Sequence, residues 1–232
     1  MKSGSEEHAA LLKFLESVDA FSNLGESSLS LLKQTSRFVN LSKGEILFFQ
    51  SDPSDAVYLV HSGSISIVLA SSDGREMIIN EMHKGELFGE LGIITQRSRS
   101  TSAVARSDSE LLVIPRQIFL KIMDNEPQLA RTLLEITANR LRVSGKRESA
   151  LAFLDAQARL ARLLLELEEQ EQDKGYVTIS QNELAHRTGL IRQTVAKALG
   201  KWRRAGWLIT GRGRILILDK KALERLESNL LV

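Results

Sequence analysis

The sequence predicts an α+β chain in three parts: a small β-roll, one long helix, and a helix-turn-helix followed by a wing. Three observations predict this. Between residues 37 and 114, short β-rich runs alternate with turn signals. From Pro127 to Phe153 no further proline occurs, Gly145 is the single glycine, and leucines recur among charged residues. From Ser180 to Leu218 two short helical patterns meet at Thr188-Gly189 and give way to two strands around Gly211-Arg212-Gly213.

Taken in order, residues 1–7 are polar, and the spacing of Leu11, Leu12, Leu15, Val18 and Phe21 predicts a helix over 8–21. Leu29, Leu31 and Leu32 mark a second, short helix. Strands are expected at 37–41, 46–49, 56–60, 64–70, 76–82, 102–107 and 111–114. The breaks between them are Ser42-Lys43-Gly44, Asp52-Pro53, Ser62-Gly63, Asp73-Gly74 and Lys84-Gly85. Asp73-Gly74 between alternating runs is a hairpin signal, and strands this short and evenly spaced suit a small barrel or roll.

Pro115 opens another helical region, and 127–153 reads as one long helix carrying Leu129, Leu133, Ile136, Leu141 and Leu151. So many leucines on so long a helix fit a helix–helix dimer seam; the competing use is packing across the β-roll. Leu141, Ser144, Glu148 and Leu151 share a stripe, where a buried Glu148 would need a partner. Asp155 can cap a further helix over 156–170, with Leu160, Leu163, Leu164 and Leu167 on one side, and 168–174 is a polar linker.

The stretch Gly85–Ala105, GELFGELGIITQRSRSTSAVA, concentrates ligand chemistry between two expected strands. Gly89 allows close backbone approach. Glu90 offers acceptors for sugar hydroxyls. Arg99 with Ser100 suits a phosphate, and Arg97 competes for that role if the loop registers differently. Each feature alone reads as an ordinary turn or a solvated loop; their conjunction within one segment points to a phosphorylated sugar.

At the C-terminal end, Ser180 with Glu183 forms a capping box before NELAHRTG. The second helix, 191–205, turns Val195, Leu199 and Trp202 inward and presents Arg192, Gln193 and Lys197. Arginine suits guanine and glutamine adenine in the major groove, while Thr194, Arg187 and Lys201 are candidates for phosphate contacts, which hold position without reading sequence. Between Lys174 and Arg214 nine Lys and Arg face one acid, Glu183, in a chain of net charge +2. A basic block of this kind on an otherwise acidic chain implies a polyanionic partner.

FGELG at Phe88–Gly92 followed by RSTSAVA at Arg99–Ala105 resembles the phosphate-binding cassette of cyclic-nucleotide-binding domains. That resemblance implies that Gly89 and Glu90 make the backbone and ribose contacts and that Arg99 and Ser100 hold the cyclic phosphate; Thr101 stands where the family usually has alanine. On this basis Arg99→Ala is expected to abolish binding and leave the fold intact. Cassette, long helix and winged helix-turn-helix together resemble the CRP–FNR family of bacterial transcription regulators over nearly the whole chain, with the pattern nearest to its cyclic-AMP-responsive members. AFLD at Ala152–Asp155 matches the family's junction between long helix and DNA domain. Ser144 matches a hydroxyl-bearing contact to the adenine, and Gly145 replaces a second one. IRQTVAK at Ile191–Lys197 matches the recognition stretch, with Arg192 retained and Gln193 and Lys197 replacing Glu and Arg.

The resemblance implies a homodimeric, cytoplasmic, non-enzymatic regulator of double-stranded DNA. Its effector would be a cyclic nucleotide, cyclic AMP first, with no metal, and RNA polymerase would be a further partner. The expected division is an effector domain at 1–125, a dimerisation helix at 126–154 and a DNA-binding domain at 155–232. The absence of cysteine excludes disulfides and thiolate metal sites. No run of apolar residues is long enough for a membrane span, and MKSGSEEHAA is not a secretory leader. Two rivals remain: the same fold answering a different effector or none, such as a haem held by His61 or His83, and a cupin-like metalloenzyme, against which none of His8, His61, His83 and His186 sits in an H-x-H pair.

Overall fold

The computed structural model describes residues 11–71 and 76–228. They fall into two compact units, Met1–Asn139 and Arg140–Val232.

The first unit begins with helical residues 11–16 (α1) and helix α2 (Glu26–Thr35). Eight strands follow: β1 (Arg37–Leu41), β2 (Ile46–Phe48), β3 (Ala56–Ser62), β4 (Ile65–Ala70), β5 (Glu76–Met82), β6 (Leu87–Phe88), β7 (Ser102–Ala105) and β8 (Ser109–Pro115). A short helix, α3 (Glu90–Ile94), lies between β6 and β7. Helix α4 (Arg116–Asn125) and the start of α5 (Pro127–Phe153) complete the unit. The strands make two antiparallel four-stranded sheets, ordered β1-β8-β3-β6 and β2-β7-β4-β5. The Asp73-Gly74 hairpin lies outside the described residues; the strands on either side of it pair antiparallel.

Strands β3 and β8 explain the two-layered core. Both read as continuous apolar runs, AVYLV and LLVI, because both faces are covered. Val57, Leu59, Leu112 and Ile114 pack with Phe14, Leu15, Phe119, Leu129 and Leu133 from the helices and with Phe21 from the turns after α1. The alternate residues Tyr58, Val60, Leu111 and Val113 face the interior of the roll with Phe48, Ile65, Phe88 and Ala103. Thus Leu129 and Leu133 of α5 serve the β-roll core, as the competing reading of that helix expects, while Leu134 and Leu141 are 69% and 71% exposed.

The second unit carries the rest of α5, then α6 (Ala156–Gln170), a 3₁₀ turn (Gln172–Lys174), β9 (Val177–Thr178), α7 (Gln181–Thr188), α8 (Arg192–Arg204), β10 (Leu208–Gly211), β11 (Arg214–Ile217) and α9 (Lys220–Ser228). Asp155 caps α6 by accepting from the Ala158 N–H at 2.8 Å. The core gathers Leu160 and Leu164 of α6, Leu184 of α7, Val195, Leu199 and Trp202 of α8, and Leu223 of α9.

Several expectations are corrected. The first helix ends at 16 and dissolves into turns through 23, and residues 8–10 lie outside the described residues. The linker expected at 168–174 is helical through Gln170. Strand β6, helix α3 and strand β9 are additions to the expected pattern; each of these strands is two residues long and exists only through its partner, β3 or β11. In the single chain Glu148 is exposed and accepts from Ser144 Oγ at 3.2 Å. Among the described residues no helix is long and apolar enough to cross a membrane, and no group of three or more His, Asp or Glu is placed to hold a metal. His61 pairs with Glu110 at 2.5 Å beside the Phe14 and Phe38 rings.

Candidate effector and nucleic-acid sites

The cassette spans the end of β6 to the start of β7. Gly89 caps α3 with φ 83°, in the left-handed region. A Cβ there would stand 2.7 Å from Arg99 Nη1 and 3.3 Å from the Tyr58 ring. Glycine is therefore required twice, by the backbone turn and by the approach of the guanidinium. Glu90 follows at 2% exposure in the first turn of α3.

Arg99 is the centre of the site and is only 4% exposed. Its Nη1 donates to the Gly89 carbonyl at 2.8 Å, and its Nη2 donates to the Ala56 carbonyl at 2.7 Å and to Asp55 Oδ1 at 3.3 Å. The guanidinium lies 4.3 Å from the centroid of the Phe48 ring and 5.3 Å from that of Tyr58. Burial pushes the Tyr58 hydroxyl above the ordinary tyrosine range, and the Arg99 charge partly offsets this. The backbone on either side is fixed as well: Arg99 N–H donates to the Asp52 carbonyl, and Ser51 N–H donates to that of Arg99, both at 2.8 Å. Arg99 thus ties the cassette to the loop between β2 and β3, a structural task the motif alone did not reveal. The expectation that Arg99→Ala spares the fold is corrected on this ground, because two carbonyls and an aromatic stack lose their partner.

The remaining predicted residues divide. Gly89, Glu90 and Arg99 are brought together, and Ser100 is exposed at the edge of the cassette. Arg97 is exposed on the outer loop with Thr95, Gln96 and Ser98. Ser144 is exposed on α5 in the second unit. Sequence reasoning missed Asp55, Ala56, Phe48 and Tyr58, which come from β2, β3 and the loop between them, far upstream of the cassette; the turn signal Asp52-Pro53 marked that loop without indicating its partner.

The basic face lies wholly in the second unit. Ser180 Oγ accepts from the Glu183 N–H at 3.1 Å and caps α7. Gly189, at φ 67°, ends α7 and returns its N–H to the Ala185 carbonyl. Helix α8 then buries Val195, Ala198, Leu199 and Trp202, an i, i+3, i+4, i+7 stripe. That burial leaves Arg192, Gln193, Lys197 and Lys201 exposed, with Thr194 half-buried. Lys201 Nζ donates to Gln157 Oε1 at 3.4 Å. Arg187 is held by Glu183 at 3.1 Å, with both side chains about four-fifths covered. Strands β10 and β11 pair from Leu208↔Ile217 to Gly211↔Arg214, and β9 adds to their edge: this is a wing.

Comparisons with known proteins agree with this two-part geometry. The family model for the cyclic nucleotide-binding domain matches residues 38–126, and that for the Crp-like helix-turn-helix domain matches 158–226. The Cyclic AMP receptor protein of Thermus thermophilus is 33% identical over 184 residues, covering 79% of this chain and 85% of that protein. The chain belongs to the CRP–FNR family of transcription regulators. A CRP-like cAMP-activated global transcriptional regulator of Mycobacterium tuberculosis is 28% identical over 211 residues, covering 88% of this chain and 94% of that protein. Among solved structures, FixK2 from Bradyrhizobium japonicum superposes with a TM-score of 0.69 at 26% identity, over 84% of this chain and 98% of that one. A CRP/FNR-family transcriptional regulator from Thermus thermophilus gives 0.68 at 26% identity, over 84% and 100%. This CRP–FNR protein is therefore a DNA-binding transcription regulator with a cyclic nucleotide-binding domain.

Proposed function

We propose that the protein is a homodimeric regulator whose DNA binding is gated by a cyclic nucleotide, cyclic AMP first, held in the β-roll. The observation that carries this reading is the convergence of the left-handed Gly89, the buried Glu90 and the buried Arg99 in one cassette. The names of the relatives from Thermus and Mycobacterium support cyclic AMP as the first ligand to try. Arg99 and Ser100 would hold the cyclic phosphate, Glu90 a ribose hydroxyl, Gly89 a backbone contact, and Ser144 the base. The phosphate would exchange for Asp55, whose 79% exposed carboxylate is the partner of Arg99 most easily released to water. A division into effector domain 1–125, dimerisation helix 126–154 and DNA-binding domain 155–232 belongs to this reading, as do cytoplasmic action and contact with RNA polymerase.

Isothermal calorimetry with cyclic AMP, cyclic GMP and cyclic CMP tests the effector. Saturable binding of one of them supports the proposal, and silence from all at millimolar concentration removes it. A specific observation favours the second reading in that event: Arg99 already has carbonyl partners, and Phe48, Tyr58 and Phe88 fill the roll beside it with centroids 5.4 to 6.3 Å apart. The protein would then answer a different effector or none.

On DNA, two copies of α8 would read half-sites about 34 Å apart. Arg192→Ala is expected to cost about 1–3 kcal/mol at one base position. Lys201→Ala is expected to weaken binding to every sequence alike and to flatten the salt dependence. A binding-site selection with each variant checks both, and an unchanged base preference in Arg192→Ala counts against its reading role.

Coupling would run through α5. Within one chain a Cβ on Gly145 would meet nothing within 4 Å, and alanine there stiffens the helix by about 1 kcal/mol. Gly145→Ala is expected to raise DNA binding without nucleotide, and Ser144→Ala to reduce the response to it. DNA titrations with and without cyclic AMP decide, and unchanged coupling in both variants would move the signal elsewhere.

A further inference from the structure

Reading by α8 leaves the apex of the wing without an assigned task, and the apex has an unusual build. Strands β10 and β11 are joined by Arg212-Gly213 alone, since Gly211 pairs directly with Arg214 and Gly213 adopts φ 68°. A two-residue connection makes the narrowest hairpin tip. Glycines on both sides of Arg212 keep it narrow.

Two other arginines of the basic face are engaged. The Arg214 guanidinium lies over the Tyr176 ring, 4.9 Å from its centroid, and Arg187 is paired with Glu183. Arg212 is exposed, and its side chain makes no hydrogen bond or ion pair among the described residues. No acid occurs between Ala205 and Leu218. The apex also stands beside the N-terminal end of α8: Gly211 and Gly213 line a cleft of about 260 Å³ together with Ser180, Gln181 and Arg192.

We propose that Arg212 enters the minor groove next to each half-site and selects A·T pairs there. The inference rests on the DNA binding of the family and does not need the effector to be a cyclic nucleotide. With the start of α8 in the major groove, the thin tip bordering the same cleft is placed to reach the minor groove that adjoins it. A·T-rich minor grooves are narrow and strongly negative, which draws in a guanidinium. Arginine enters at lower cost than lysine because it is less strongly hydrated. A G·C pair puts the guanine N2 amino group in that groove, adding a donor where Arg212 needs acceptors.

The test uses the full-length protein and the duplex it selects from a random library, with titrations run with and without cyclic AMP. Flanking A·T pairs are replaced by inosine·C, which keeps the minor-groove edge of A·T but changes the major-groove edge. They are separately replaced by 2,6-diaminopurine·T, which adds only the minor-groove amino group. Wild type is expected to bind the inosine duplex within about twofold of the parent and the diaminopurine duplex about tenfold more weakly. Arg212→Ala is expected to bind all three alike with an unchanged melting curve, and Arg212→Lys to keep most of the salt dependence while losing most of the discrimination. Wild type that follows the inosine change would assign the flank to major-groove reading. An Arg212→Ala protein that loses affinity equally on all duplexes, yet still rejects diaminopurine, would make the contact a phosphate contact. Either result overturns the proposal.

Discussion

Arg99→Ala is expected to abolish cyclic-nucleotide binding and to lower the stability of the first unit by about 3–5 kcal/mol. The binding loss follows from its proposed place on the phosphate, where a charge-assisted bidentate contact has no substitute nearby. The stability loss follows from what the guanidinium already does. The Gly89 and Ala56 carbonyls would lose donors at 2.8 and 2.7 Å, at about 1–3 kcal/mol for each buried acceptor left unpaired. The stack on Phe48 would leave a void among Tyr58 and Phe88. Arg99→Lys separates the two effects. It keeps one charge but cannot serve both carbonyls and the ring together, so partial stability with little binding is expected. Urea unfolding and calorimetry on both variants supply the measurements, and a wild-type midpoint with wild-type affinity in Arg99→Ala would refute this account of the cassette.

The double substitution Leu134→Glu, Leu141→Glu is expected to give a folded monomer whose operator affinity falls by more than about 100-fold. Both leucines are about seven-tenths exposed in one chain and stand one heptad apart on α5. With Ala138 and Gly145 they form the spacing of a two-stranded seam. Carboxylates there would repel across a two-fold axis, while the cores built on Leu129 and Leu133 and on Leu160 and Leu164 are untouched. A monomer engages one half-site and loses the effective concentration that its partner provides. Sedimentation equilibrium and operator titration check this. A variant that remains dimeric would place the seam off this stripe, and a wild-type monomer would remove the dimer from the proposed function.

Features that depend on near neighbours are legible in the residues alone. Helix α5 runs over the predicted 127–153, α6 over 156–170 behind its Asp155 cap, and strands β1 and β5 over 37–41 and 76–82. The turn at Gly189 and the inward stripe of α8 were equally legible, because caps, turn residues and periodicity act within a few positions of the chain. Two-residue β6 and β9 were not legible, since so short a strand has no pattern of its own and is defined by the neighbour it pairs with. The cassette divides along the same line. Its residue types announced a phosphorylated ligand, and its family, from one contiguous segment. That Arg99 would be buried against Phe48, Tyr58, Ala56 and Asp55 was decided only when β2 and β3 came together with β6 and β7. Likewise the run of basic residues marked a nucleic-acid face, and the i, i+4 spacing of Glu183 and Arg187 on α7 pairs that arginine locally, but tertiary packing placed Arg214 over Tyr176 and left Arg212 without a partner among the described residues. A pair four residues apart on one helix can be read from the residues, whereas the engagement of Arg214 depends on contact with a distant segment that no local pattern encodes.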